Sequence, residues 1–304
     1  MLLHMSLDGV LLSNRFVFPP IKLGYGNPDG TVTGQQLTFY RQIARNGPGL
    51  LILEPVAVTQ GGKEHPKQLC IHLPESTAEL KKIVDVIHGE GRSACIHLNH
   101  AGAAANPMAA GSGPLSASEL TCPSSGQKAK ALEESEIETI VENYGFAAAK
   151  AVEAGFDFIE IQGGHGYLVS QFLNRKINQR SDSYGEDRLL FAKRILSAVK
   201  KQAPDLPFLV RISGNEMSPD FGLGYEDLEP FLNLVEAEGS CALHVGMGNA
   251  CFSPAWYFHH ARLPEKPQMD ALKWVKRNTS LPLIVAGRMG RAQRIEDMVS
   301  SDLA

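Results

Sequence analysis

The sequence predicts an α/β fold, a (β/α)8 TIM barrel that stops before its eighth strand. Short apolar runs alternate with helical patterns along the chain, and this alternation is typical of parallel strands joined by right-handed helical crossovers. Seven strands at one spacing favour a barrel over an open doubly wound sheet. The open sheet is further disfavoured because no Gly-x-Gly-x-x-Gly motif stands at a first strand–helix turn.

Each predicted strand is a short apolar run, and each predicted helix has an apolar face that can pack on a sheet. The strands are expected at residues 16–18, 50–53, 93–98, 158–162, 208–212, 242–245 and 283–286. The helices between them are expected at residues 34–46, 76–90, 134–154, 185–202, 225–238 and 267–277. One more helix is expected to begin at Arg291, with no eighth strand after it.

A barrel without its eighth strand exposes unpaired backbone groups at its open edges, which is an aggregation liability. We therefore expect one domain over residues 1–304 that lacks its C-terminal strand and any downstream domains, and a homo-oligomer or partner domain could complete it. The segment 101–118 is rich in Ala, Gly, Pro and Ser. Because it is too long for a simple connection, it is expected to be a functional loop over the barrel mouth.

Composition and charge narrow the classes of partner. The chain has 43% hydrophobic and 20% charged residues, which is ordinary for a globular protein, and its net charge of −4 gives no reason to expect a nucleic-acid partner. No apolar run approaches the roughly 18 residues of a membrane span. The N-terminus lacks the basic start of a signal peptide. A small molecule is the expected partner.

The cysteines suggest a reducing compartment. There are five of them, none spaced as Cys-x-x-Cys, and an odd count argues against a disulfide framework. We expect buried free thiols and a cytoplasmic location. No Cys/His cluster has the spacing of a metal site, so no metal is expected. The cysteines are Cys70, Cys95, Cys122, Cys241 and Cys251.

The stretch from Asp157 to Gly185 is the most informative part of the chain. It begins as a buried strand, turns through two glycines and continues as a polar loop with His165 and Tyr167. Barrel enzymes carry their catalytic groups at the carboxyl ends of the strands. Arg211 ends the fifth predicted strand, and Gly287 begins a turn whose N–H groups could bind a phosphate.

Four motifs follow one another along the chain: NRFVFPP from residue 14, HLNHAG from residue 97, GGHGYLVSQFLNRKINQRSDSYG from residue 163 and IVAGRMG from residue 284. In this order they resemble the Old Yellow Enzyme family of FMN-dependent ene-reductases. Within it, the chain is most similar to the branch with 2,4-dienoyl-CoA reductase, 2-enoate reductases and trimethylamine dehydrogenase. The resemblance covers nearly the whole chain. The iron–sulfur cysteine cluster and the FAD- and NAD-binding domains of the longer relatives are absent from this sequence.

The resemblance implies that FMN lies across the carboxyl-terminal mouth of the barrel. Arg211 matches the arginine beside flavin N1 and O2, where a cation stabilises the charge that develops on reduction. His97 replaces a usual Gln at the pyrimidine ring, and Lys22 replaces a usual Cys or Thr. The residues implied to bind FMN are Pro20, Ile21, Lys22, Pro55, His97, Arg211, Gly287 and Arg288.

The resemblance also implies catalytic roles. Gln162, in place of the more common His or Asn, and His165 match the pair that holds the carbonyl oxygen of an α,β-unsaturated substrate. Tyr167 matches the proton donor to Cα, and a phenol with a pKa near 10 is protonated at neutral pH. NADH or NADPH would be the reductant. Two alternatives stay open: a subunit or fragment of a larger multi-cofactor flavoprotein, and a flavin-free remnant kept for assembly.

Overall fold

A computed structural model describes residues 4–304, and it contains the predicted parallel barrel. Seven strands pair side by side in chain order, all parallel. Within residues 4–304 the first and seventh strands do not pair with each other. The barrel is therefore nearly closed, with one open side between these two strands. The strands are β1 (Val17–Phe18), β2 (Leu50–Ala57), β3 (Ser93–Asn99), β4 (Phe158–Gln162), β5 (Phe208–Ser213), β6 (Leu243–Gly246) and β7 (Leu283–Val285).

The helices cover the outside of the barrel and bury one face each against it. They are α1 (Gly34–Arg45), α2 (Ser76–His88), α3 (Glu134–Ala154), α4 (Leu190–Gln202), α5 (Tyr225–Ala237), α6 (Lys266–Arg277) and α7 (Ala292–Ser300). The prediction for α4 began five residues too early, because a separate short helix, Ser183–Glu186, precedes it. The side chain of Asp182 caps this short helix by accepting from the Tyr184 N–H. No helix within residues 4–304 is long and apolar enough to cross a bilayer.

Two small sheets outside the barrel were not predicted. A hairpin of Met5–Leu7 and Val10–Leu12 packs its Leu7 and Leu12 side chains against the amino-terminal end of the barrel. A three-stranded sheet within residues 115–131, which we call the cap sheet, begins inside the predicted mouth loop, at Leu115–Ser116, and continues beyond it. The loop prediction therefore missed the cap sheet, whose strands have two to five residues and carry no clear alternation.

The expectation of five free thiols is wrong for two of them. Cys122, at the end of the second cap strand, forms a disulfide with Cys251 in the loop after β6. The other three cysteines are free. The pairing could not be found by spacing because 129 residues separate the two positions. The bond fixes the cap sheet to the loop after β6.

Replacing Cys251 by Ser is expected to lower the free energy of unfolding by about 2–5 kcal/mol, since the bond closes a long loop of the unfolded chain. Urea unfolding of wild type and variant measures the difference. Dithiothreitol should destabilise wild type to the level of the variant and leave the variant unchanged. Equal stability of the oxidised wild type and the variant would contradict the pairing.

Candidate active site

The carboxyl ends of the strands bring most of the sequence-predicted polar residues to one mouth. Pro55 on β2 stands opposite His97 on β3, and Arg211 on β5 stands between Gln162 on β4 and His244 on β6. The Arg211 Nη1 atom lies 3.4 Å from the Pro20 carbonyl oxygen after β1. The arginine therefore reaches across the open side of the mouth to the residues that follow β1.

The turn after β4 holds His165 in a conformation that non-glycine residues rarely adopt, with a φ of 61°. The His165 N–H donates to Ser213 Oγ at 3.0 Å, and the Gly166 N–H donates to Glu216 Oε1 at 2.8 Å. Glu216 also accepts from the Asn249 amide at 2.9 Å. This buried carboxylate, which the sequence analysis missed, fixes the turn that carries His165 and Tyr167.

The Tyr167 hydroxyl is buried in a polar cluster. It donates to Glu64 Oε1 at 2.6 Å and lies 2.8 Å from the Tyr257 hydroxyl. The Lys22 Nζ atom lies 2.7 Å from the same Glu64 oxygen and 5.0 Å from the centre of the Tyr257 ring. Burial raises the pKa of Tyr167 well above its ordinary value, and the Glu64 carboxylate raises it further. Tyr167 is therefore a neutral hydroxyl at the mouth.

Glu64 was not predicted as a site residue, and its replacement by Gln gives a test. We expect Glu64→Gln to lower the pKa of Tyr167, because a carboxylate next to a phenol opposes ionisation of the phenol. NMR of ring-labelled tyrosine, with Tyr167→Phe to assign the signal, measures that pKa. Glu119→Gln is the matched control, since the Glu119 carboxylate pairs with Lys128 in the cap sheet. An unchanged Tyr167 pKa in Glu64→Gln would contradict the contact.

A second buried cluster lies inside the barrel. Glu160 Oε1 is 2.5 Å from His97 Nδ1, and Glu160 Oε2 is 2.6 Å from His244 Nδ1, with all three side chains fully buried. Burial alone would raise the pKa of Glu160, but the two imidazoles lower it below its ordinary value. The pKa of each of His97 and His244 is lowered by burial. Glu160 is thus a carboxylate held by two imidazole N–H groups.

Gln162 links this cluster to His165. Its Nε2 atom lies 3.4 Å from His97 Nε2, and its Oε1 atom lies 3.3 Å from His165 Nδ1. The Gly164 N–H also donates to Gln162 Oε1, at 3.3 Å. His97, Gln162 and His165 therefore form one hydrogen-bonded row below the mouth, with Glu160 at its inner end.

Several buried polar atoms at the mouth have no partner within residues 4–304. They are His165 Nε2, Arg211 Nε, His244 Nε2 and His259 Nε2. Within residues 4–304 the Arg211 guanidinium has no carboxylate oxygen within 4.0 Å, and its Nη1 atom contacts a backbone carbonyl oxygen instead. Buried polar groups are nearly always hydrogen-bonded. The mouth therefore has the donors and acceptors of a ligand site.

Gly287 and Arg288 follow β7 and differ in what they offer a phosphate. Gly287 has a φ of 95°, and a side chain there would strike the His259 imidazole. The Arg288 guanidinium contacts the carbonyl oxygens of Leu263 and Ala261 and lies 3.4 Å from Glu265 Oε1. The phosphate site at this turn stays a prediction. A phosphate here would bind the backbone N–H groups at Gly287, next to the Arg288 guanidinium that is hydrogen-bonded to the loop after β6.

Three polar residues away from the predicted catalytic set, His100, Arg180 and Asp182, brace the loops. His100 Nδ1 accepts from the Gly102 N–H at 3.2 Å. Arg180 pairs with Asp182 and donates to the carbonyl oxygens of Ala117 at 3.0 Å and Leu132 at 2.6 Å. Through these contacts Arg180 and Asp182 join the loop after β4 to the cap sheet and to the start of α3.

The chain belongs to the NADH:flavin oxidoreductase / NADH oxidase family, whose model matches residues 5–304. Membership makes it an FMN-dependent oxidoreductase.

Curated relatives agree with this membership. The NADH oxidase of Thermoanaerobacter brockii is 29% identical over 98% of this chain and 46% of its own length. The NADPH dehydrogenase of Clostridium acetobutylicum is 29% identical over 98% of this chain and 87% of its own. The NADPH dehydrogenase of Listeria welshimeri is 31% identical over 98% of this chain and 86% of its own. The chain thus spans less than half of one relative and most of the other two.

Solved structures share the fold. A complex of 2-naphthoyl-CoA reductase superposes with a TM-score of 0.92 at 20% identity, over 99% of this chain and 48% of that one. The Old Yellow Enzyme homologue from Zymomonas mobilis gives 0.84 at 20% identity, over 100% of this chain and 86% of that one. Morphinone reductase with tetrahydroNAD gives 0.82 at 23% identity, over 100% and 84%. They confirm the TIM barrel.

The residues at the mouth fit FMN. The Arg211 guanidinium, whose Nε atom has no partner within residues 4–304, suits the carbonyl side of a flavin, which becomes negatively charged on reduction. The imidazole nitrogens without partners can bond further polar groups of a ligand. The residues that would hold the cofactor are the eight from the sequence analysis, Pro20, Ile21, Lys22, Pro55, His97, Arg211, Gly287 and Arg288; these assignments stay predictions.

Proposed function

We propose that this enzyme reduces activated C=C bonds of α,β-unsaturated carbonyl or thioester substrates. The observation that carries the proposal is the buried, neutral Tyr167 hydroxyl next to His165, whose ring centre lies 6.5 Å from that of Tyr167. A proton donor and an oxygen-binding group close together are what addition of hydride and proton across such a bond requires.

Each of three residues has a role in this proposal. Gln162 and His165 hold the carbonyl oxygen and stabilise the enolate charge that develops there. Tyr167 gives its hydroxyl proton to Cα. FMN, when bound, supplies the hydride for Cβ. The Cys122–Cys251 bond joins the cap sheet to the loop after β6, and that loop carries Tyr257 beside the Tyr167 hydroxyl.

The test is reduction of 2-cyclohexenone and of an enoyl thioester by the FMN-loaded protein with NADPH or NADH. We expect the saturated product and oxidation of one reductant per product. The His165→Ala variant should bind the enone more weakly, because one contact to the oxygen is lost. Flavin-loaded protein that oxidises the reductant but leaves both substrates unchanged would rule out the proposal.

The open side of the barrel favours a second candidate, a subunit of a larger flavoprotein completed by another domain or copy. An apolar cavity of about 390 Å³ lies between the amino-terminal hairpin, β7 and α7. Mass analysis of the native assembly is the test, and a stable, active monomer that retains FMN counts against this candidate. A folded protein that releases FMN at micromolar concentration would instead favour the flavin-free remnant.

We also propose a cytoplasmic location for this protein, as the sequence predicts. The Cys122–Cys251 bond is an observation against a strictly reducing compartment, because disulfides rarely persist there. Alkylation of thiols in freshly broken cells, followed by a count of labelled cysteines, decides the matter. Five labelled cysteines would support the cytoplasm, and three would support an oxidising compartment.

A further inference from the structure

The row from Glu160 to His165 fixes where each imidazole proton lies. Both Glu160 oxygens contact a histidine Nδ1, at 2.5 Å for His97 and 2.6 Å for His244. A carboxylate only accepts hydrogen bonds, so both Nδ1 atoms carry a proton. A neutral His97 then has a bare Nε2, and this atom can accept from the Gln162 amide nitrogen 3.4 Å away.

The orientation of the Gln162 amide is fixed independently. A backbone N–H can only donate, and the Gly164 N–H points at Gln162 Oε1 at 3.3 Å. A flipped amide would place an NH2 group against that N–H. The same Oε1 atom lies 3.3 Å from His165 Nδ1, so His165 Nδ1 also carries a proton. Its Nε2 atom, buried and without a partner within residues 4–304, is the bare nitrogen when His165 is neutral.

We infer that His165 presents a bare, hydrogen-bond-accepting Nε2 to the mouth, so that a carbonyl substrate binds only together with one proton taken up at this nitrogen. The inference rests on the proposed function for the identity of the substrate. A carbonyl oxygen and a bare imidazole nitrogen both accept, and neither can donate to the other. Uptake of a solvent proton forms the Nε2–H bond, and the imidazolium then donates to the oxygen.

The surroundings keep His165 neutral before a ligand binds. Burial lowers its pKa well below the ordinary value, and the Arg211 cation lowers it further. The partial negative charge on a bound carbonyl oxygen favours the imidazolium and opposes both effects. The groups that face His165 from the neighbouring elements are His97 on β3, Arg211 on β5, His244 on β6, and Tyr257 and His259 in the loop after β6.

The first test reads the proton positions without any turnover. NMR of nitrogen-labelled histidine in the FMN-loaded protein distinguishes a bare ring nitrogen from a protonated one, and the His165→Asn variant assigns the signal. We expect Nδ1–H and a bare Nε2 in the free protein, and both nitrogens protonated with 2-cyclohexenone bound. A free protein with Nε2–H would overturn the inference.

The second test counts protons. Calorimetry of 2-cyclohexenone binding to oxidised protein, in buffers of different ionisation enthalpy, should show uptake of about one proton, with affinity falling about tenfold per pH unit above neutrality. The allylic alcohol 2-cyclohexen-1-ol, which can donate, should bind without uptake. Binding of the enone with no proton uptake and no pH dependence would also overturn the inference.

Matched variants separate the row from the rest of the site. Gln162→Leu removes the group that fixes the His165 proton, so the neutral Nε2–H form becomes accessible and proton uptake should fall well below that of wild type. Tyr257→Phe keeps the ring that packs 5.3 Å from His165 and lies outside the row, so uptake should be unchanged. If proton uptake is lost in Tyr257→Phe and kept in Gln162→Leu, the proton is taken up at a group other than His165, and the inference is wrong. Product formation tests the proposed function separately.

Discussion

Replacement of Tyr167 by Phe is expected to slow reduction of an enone by about 10²- to 10⁴-fold, the usual contribution of a positioned general acid. The hydroxyl is the only part removed, and the ring can keep its edge contact with Tyr257, whose centre lies 6.1 Å away. Stopped-flow measurement of reoxidation of the reduced protein by 2-cyclohexenone reads this step directly.

The same experiment has internal controls. Reduction of the bound flavin by NADPH needs no proton from Tyr167 and should stay near the wild-type rate, which reports an intact site. Tyr257→Phe removes one hydrogen bond to the Tyr167 hydroxyl, 2.8 Å long, and should cost less than about tenfold. If Tyr167→Phe is reoxidised by 2-cyclohexenone as fast as wild type, another group is the proton donor and the Tyr167 side chain serves only packing.

The barrel was predictable because its strands are short apolar runs that alternate with helical segments. The fourth strand was predicted at residues 158–162 and found as Phe158–Gln162, since all five of its residues are buried and the flanking glycines and helix end it sharply. The site residues at strand ends followed from this geometry. Parallel strands bring their carboxyl ends together, so Gln162 and Arg211 had to be neighbours.

The partners of those residues were less predictable because they come from distant segments. Tyr167 and Glu64 are 103 residues apart, and Tyr167 and Tyr257 are 90 apart. A single sequence gives no sign of such pairs. Glu160 and His244 did carry a signal: each lies within an otherwise apolar strand, where a charged or polar group is costly unless it is paired. A search for mutual partners among such residues would have found the His97–Glu160–His244 cluster.

The stability of this protein should fall steeply below about pH 6.5, because its buried histidines are neutral in the folded state. Burial lowers the pKa of His100 from 6.5 to about 4, and that of His259 to about 4. The pKa values of His97, His165 and His244 are lowered as well. Between the ordinary histidine pKa of 6.5 in the unfolded chain and the lowered pKa in the folded protein, the unfolded chain binds protons that the folded chain does not. The free energy of unfolding therefore decreases as the pH falls through this range.

Each neutral buried imidazole contributes up to about 1.4 kcal/mol per pH unit in this window. Urea unfolding at about pH 7.5 and about pH 5.5 should therefore differ by several kcal/mol. His100→Asn isolates one imidazole, because an Asn oxygen can also accept from the Gly102 N–H, which lies 3.2 Å from His100 Nδ1. This variant should flatten the slope by up to about 1.4 kcal/mol per pH unit. His4→Gln changes an exposed histidine and should leave the slope as in wild type. A slope unaffected by His100→Asn would mean that His100 is already protonated in the folded protein, and the buried loop around it would then have to supply an acceptor for that charge.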